Sequence, residues 1–278
     1  MQLASFLYAL GTAAALVALA WRPWRGGAAP RTGPLLTAFA VPLAFIAAWY
    51  GWNEAWPALL PEEQSSAKLW VLPGLLLGAL GSLGPRCLPL QVFLAWVAAE
   101  VIVGAGHALA LSRVEGELLP LVLAMKAGLV LTAVSLAAAA PRPGFEPALL
   151  ALVGLVGAAL TVMNGGWAQG AVLLAAVGFV SGGALVTGIW RRDWAPLAGS
   201  GLVVGLAGGA VLLVGYRLAE APLVSTLLAA AAPLSVWIPG KGRALTCLRL
   251  AIAVGLAYGA YHLSVPPPNP YADYGGSW

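Results

Sequence analysis

The sequence predicts an all-α, polytopic membrane protein with about ten transmembrane helices, and three observations carry that prediction. Charged residues are 9% of the 278-residue chain and apolar residues 61%, where soluble domains carry about 25% charge; the mean hydropathy is +0.89. Apolar runs of about 20 residues recur along the whole chain, the length an α-helix needs to cross the ~30 Å hydrocarbon core of a bilayer. The runs are apolar on every face, as in Ala148–Gly157, whereas the strands of a membrane β-barrel alternate apolar and polar residues.

Taken in order, the spans are Leu3–Trp21, Pro34–Trp52, Leu69–Gly84, Leu88–Ser112, Leu118–Ala140, Ala148–Met163, Ala171–Trp190, Leu197–Tyr216, Pro222–Ile238 and Ala244–Leu263. Span one has no basic residues before it and three arginines after it, Arg22, Arg25 and Arg31, which predicts a retained span rather than a cleaved signal peptide. Span two ends among Trp49, Trp52 and Trp56, residues that favour the headgroup layer. Span three is short, with Gly74, Gly78 and Gly81 on one face, where small residues let another helix approach. Spans four and five form a hairpin around the charged turn Arg113–Glu117. The breaker Pro141–Pro147 follows at the midpoint of the chain. Span six stops at Asn164-Gly-Gly, span seven at Arg191 and Arg192. Span eight carries Gly201, Gly205 and Gly209 at four-residue spacing, a helix-packing pattern expected to be used within the chain. Pro42 and Pro233 sit deepest in their spans and predict kinks in spans two and nine.

With the N-terminus outside, nine basic residues fall in inner loops (Arg22, Arg25, Arg31, Arg86, Arg142, Arg191, Arg192, Lys241, Arg243) and three in outer ones (Lys68, Arg113, Arg217). This positive-inside bias places both termini outside in a multi-pass protein of the cell (plasma or inner) membrane. The organisation is then a first half-bundle at 1–140, a proline-rich inner turn at 141–147, a second half-bundle at 148–264 and an extended proline and aromatic tail at 265–278. Five spans per half puts the halves in opposite orientation, as in inverted-repeat transporters. The tryptophan pairs Trp52/Trp56 and Trp190/Trp194 echo one another at equivalent positions. In length and span count the chain is similar to the drug/metabolite transporter superfamily, but it shows no motif of that group and its termini fall on the opposite side, so no family is assigned.

Ionisable side chains well inside apolar runs gather on one hairpin: Glu100 and His107 on span four, Lys126 on span five. Glu100 and His107 are seven residues apart and share a helix face. Counting back from the turn puts Lys126 between them in depth, able to pair with either. A charge at mid-bilayer costs about 2.5–3.5 kcal/mol, so pairing is expected. The functional reading is a proton relay or substrate site, and the structural one is an ion pair that fixes packing. Arg249, about one turn inside span ten, is expected to snorkel to the inner headgroups, and His262 to lie at the outer interface.

Other chemistries are excluded or unsupported. No basic run suits nucleic acid. Cys87 and Cys247 form no metal or redox spacing, and P-loop, GxSxG, HExxH and EF-hand signatures are missing. No cofactor, metal site or catalytic residue is expected. The bilayer itself is the expected partner. The leading expectation is a small-solute or ion transporter, the alternative a non-catalytic subunit or scaffold that joins other membrane subunits.

Overall fold

A computed structural model describes residues 2–25, 27–58, 67–81, 87–105, 119–218, 221–240 and 242–266. The described residues are 81% helical and contain no strand. The helices are α1 (Gln2–Trp21), α2 (Gly33–Asn53), α3 (Ala67–Gly81), α4 (Leu88–Ala99), α5 (Leu119–Ala139), α6 (Glu146–Asn164), α7 (Ala168–Trp190), α8 (Gly201–Leu218), α9 (Leu223–Ala231) and α10 (Arg243–Ser264). Two irregular turns extend this pattern: a π-helical turn, Glu100–Ala105, continues α4, and a 3₁₀ segment, Ala232–Trp237, continues α9. Each helix falls on one of the expected apolar runs. Five of them are long and apolar enough to cross a membrane: α2, α5 from Val122, α6, α7 and α10.

The bundle is organised around α8, whose residues from Gly201 to Leu212 are all buried. A helix apolar on every side needs neighbours on every side, and α8 packs against α2, α3, α4, α5, α6, α7 and α9. Its glycines let the closest of these in. A Cβ on Gly205 would stand 2.5 Å from Ala133 Cα and one on Gly209 2.6 Å from Leu129 Cδ1, while Gly201 meets the Leu136 carbonyl. The Gly201/205/209 face therefore lies against α5 inside the bundle. In α3 the glycines serve different neighbours: Gly74 faces Ile102 of the π-turn, Gly78 faces Leu206 of α8, and Gly81 faces Leu94 of α4.

The loops converge at two ends. At one end the Gly144 amide donates to the Trp194 carbonyl at 2.8 Å, Arg191 donates to the Pro23 and Arg25 carbonyls, and Gly199, at φ +87°, passes so close to Pro34 that no side chain fits. Arg142 donates to the Val236 carbonyl at 3.3 Å. The loops bearing Arg22, Arg25, Arg142, Arg191 and Arg192 thus share this basic end. At the other end Asn164 of α6 donates to Ser264 of α10 at 2.9 Å, and Tyr50 lies 4.7 Å from Trp56. The two tryptophan pairs noted in the sequence end up in unlike surroundings: Trp194 is buried and Trp56 exposed.

The prolines act differently from one another. Pro42 sits inside an unbroken α2. At Pro233 the α-helix gives way to 3₁₀ geometry, as expected where a proline removes an intrahelical bond. The Pro233 ring lies against Gly154 of α6.

Candidate functional site

Lys126 Nζ donates to Glu100 Oε2 at 2.6 Å, joining α5 to the start of the π-turn. The contact joins residues 26 positions apart in the chain. His107 and the charged turn at 113–117 lie outside the described residues. Glu100 opens the π-turn: its amide is shared between the Trp96 and Val97 carbonyls, and Ile102 and Val103, just beyond, are buried. Such π-helical turns concentrate at functional sites. The environment of the pair is lopsided. The Lys126 side chain is 12% exposed and the Glu100 side chain 45%. Among the described residues neither charge has another hydrogen-bond partner, so one bond holds them together.

A second ion pair was not foreseen. Arg249 does not snorkel to headgroups: its side chain is 6% exposed. The guanidinium donates to Glu146 Oε1 at 2.6 Å, to the Ile238 carbonyl from Nε at 3.0 Å and Nη2 at 2.7 Å, and to the Gly240 carbonyl at 2.7 Å. Glu146 Oε2 accepts from Thr246 at 2.6 Å. Glu146 lies in the first turn of α6, where the helix dipole favours a carboxylate. Arg249 instead satisfies the orphan carbonyls that follow the 3₁₀ segment, an obligation any buried helix end carries. A signal was present in the sequence: Glu146-Pro147 is a helix start, and Thr246 and Arg249 share a face at i, i+3. What the sequence lacked was any hint that these segments meet.

Three cavities among the described residues lie apart from these pairs. One of about 300 Å³ lies between α5, α8 and α9 and is lined by Met125, Gly128, Leu129, Gly209, Tyr216 and Leu227 among others. The hydroxyls of Thr132 and Thr226 on its wall bond to their own helix carbonyls, which leaves an apolar interior. Lys126 is on the same helix but does not line it. A shallow groove between α1 and α2 runs past Tyr8, Tyr50 and Trp56. The third cavity, at the basic end, contains arginine side chains. Among the described residues no cluster of His, Cys, Asp and Glu could hold a metal ion.

Comparison with protein-family models, curated proteins and solved structures finds no match to this chain.

Proposed function

We propose that the chain is a membrane protein of ten spans with both termini on the outer side, and that it carries a small solute or ion past the Glu100–Lys126 pair. The helices that are long and apolar enough to cross a bilayer, and the gathering of arginine-bearing loops at one end of the bundle, support the membrane reading.

The pair itself supports the transport reading. While closed it is neutral, which lowers the cost of holding two charges among apolar helices. It can also open to an incoming group, because a single hydrogen bond joins the two charges and nearly half of the Glu100 side chain is left uncovered by protein. A proton or a cation arriving at the Glu100 carboxylate releases Lys126. An anion arriving at Lys126 releases Glu100. Either exchange ties occupancy to the geometry of the π-turn, which can shift its register by one carbonyl.

The test uses purified protein in liposomes holding a trapped pH dye, under an imposed pH gradient, challenged in turn with small cationic, anionic and zwitterionic solutes. Wild-type protein is expected to give a solute-driven dye response that Glu100→Gln removes without changing the folded yield. An equal response in the variant, or no response to any solute class, overturns the transport reading.

One observation favours the alternative, a subunit of a larger membrane assembly. Only 17% of the α10 segment is buried within the chain, against 50–61% for the other four long helices. A protein subunit seated on α10 would co-purify in mild detergent, whereas lipid there would leave a monodisperse monomer. Gly205 faces α5, so Gly205→Leu probes the fold rather than this assembly.

A further inference from the structure

We infer that the cavity at the basic end is a binding site for the phosphate headgroup of an anionic phospholipid. The cavity, about 280 Å³, is lined by Leu19, Trp21, Arg22, Arg25, Leu36 and Trp194 among others. Its back wall is closely packed. Trp21 and Trp194 lie 6.1 Å apart, both buried, and the Trp21 indole donates to Thr37 at 2.7 Å. A third arginine shapes the loop without facing a ligand: Arg191 stacks over Trp194 at 5.2 Å and donates to the Pro23 and Arg25 carbonyls at 3.0 and 2.7 Å.

This scaffold presents two exposed guanidinium groups, Arg22 and Arg25, to one concavity. Arg22 sits at φ +43°, a conformation that costs a residue with a side chain and that tends to persist where a site needs it. Its Nε donates to the Leu19 carbonyl at 3.3 Å, which anchors the group at the end of α1 and leaves its other nitrogens unbonded among the described residues. Arg25 makes no side-chain hydrogen bond there. Neither belongs to an ion pair among the described residues. Asp193, in the adjoining loop, lies within 4.0 Å of no described cation. Two unneutralised arginines in a preformed pocket call for an anion with several acceptor oxygens, and phosphate fits the guanidinium fork.

The lipid source follows from the rim. Leu19 and Leu36 line the pocket and are both exposed along the flanks of α1 and α2, so a phosphate held by the arginines has an apolar path for its acyl chains. Basic pockets between helices on the cytoplasmic side are known lipid-headgroup sites in general. The inference rests on the membrane part of the proposed function and not on transport.

The test is native mass spectrometry of the detergent-solubilised full chain with equimolar phosphatidylglycerol and phosphatidylcholine, with thermal unfolding in inorganic phosphate alone and in phosphatidylglycerol alone as a second arm. Wild type is expected to retain phosphatidylglycerol on the order of tenfold over phosphatidylcholine, and the Arg22→Gln/Arg25→Gln double variant to lose that preference. Arg243→Gln, an exposed arginine at the same end, is expected to keep it. Equal retention of the two lipids, an unchanged double variant, or an equal loss in Arg243→Gln overturns the site. Stabilisation by inorganic phosphate as large as that by phosphatidylglycerol overturns the lipid source. Protein that stays soluble and monodisperse without detergent overturns the membrane reading itself, a result distinct from each of these.

Discussion

The two ion pairs among the described residues have the same length, 2.6 Å, and opposite characters. Arg249–Glu146 is embedded: the arginine makes four hydrogen bonds and the carboxylate accepts a further one from Thr246. It ties three segments of chain, the start of α6, the end of the 3₁₀ turn and the second turn of α10. Lys126–Glu100 joins two neighbouring segments by one bond and leaves its acid nearly half exposed. The contrast shows that distance alone does not distinguish a pair that fixes a fold from one that can open. The number of obligations each charge has elsewhere does.

The comparison breaks if the two pairs respond alike to mutation. The largest effect is expected for Glu146→Ala, which strands a buried guanidinium and costs about 3–5 kcal/mol. Thermal unfolding in detergent should show a protein with little folded fraction left, and a wild-type-like transition would remove the contrast. Gly157→Leu comes next. Its Cβ would stand 2.7 Å from Ala257 Cβ, so a larger side chain forces α6 and α10 apart and costs about 1–3 kcal/mol. Arg249 should then be easier to lose, which a double-mutant cycle between Gly157→Leu and Arg249→Met would read as a smaller cost of the arginine change in the leucine background. The smallest effect is expected for Lys126→Met, about 1 kcal/mol, because only one hydrogen bond is lost and the carboxylate left behind can bind a proton rather than stay charged among apolar helices. A loss as large as that of Glu146→Ala would make Lys126–Glu100 a structural pair.

The helices were legible because the apolar runs are closed by proline, glycine or arginine, and five of them are long and apolar enough to cross a bilayer. The Lys126–Glu100 contact was legible in part: the charged turn fixes depth along the two runs and left Lys126 two partners, Glu100 and His107. Arg249 was misread for the complementary reason. Its place near a helix end allowed a headgroup contact, and its true partner lies 103 positions away, a separation at which depth counting says nothing about lateral position. The π-turn has no compositional signature, whereas the 3₁₀ segment announced itself through Pro233. Arg22 and Arg25 were read only as topology markers, because a pocket needs Trp194 and Arg191 from a loop far along the chain.

The α6–α10 contact carries a consequence for how the chain is made. Thr246 meets Glu146, Ala257 meets Gly157 and Ser264 meets Asn164, each pair 100 positions apart, so the two helices run parallel and in step. Parallel neighbours cannot be joined by a hairpin, and three other helices are synthesised between them. During translation Glu146 therefore waits for its arginine until most of the second half has left the ribosome, with a carboxylate and a glycine face uncovered in the meantime. Closure of this half is a late, long-range event, and a ribosome stalled just before Arg243 should hold a nascent chain whose α6 remains open to protease or cross-linker.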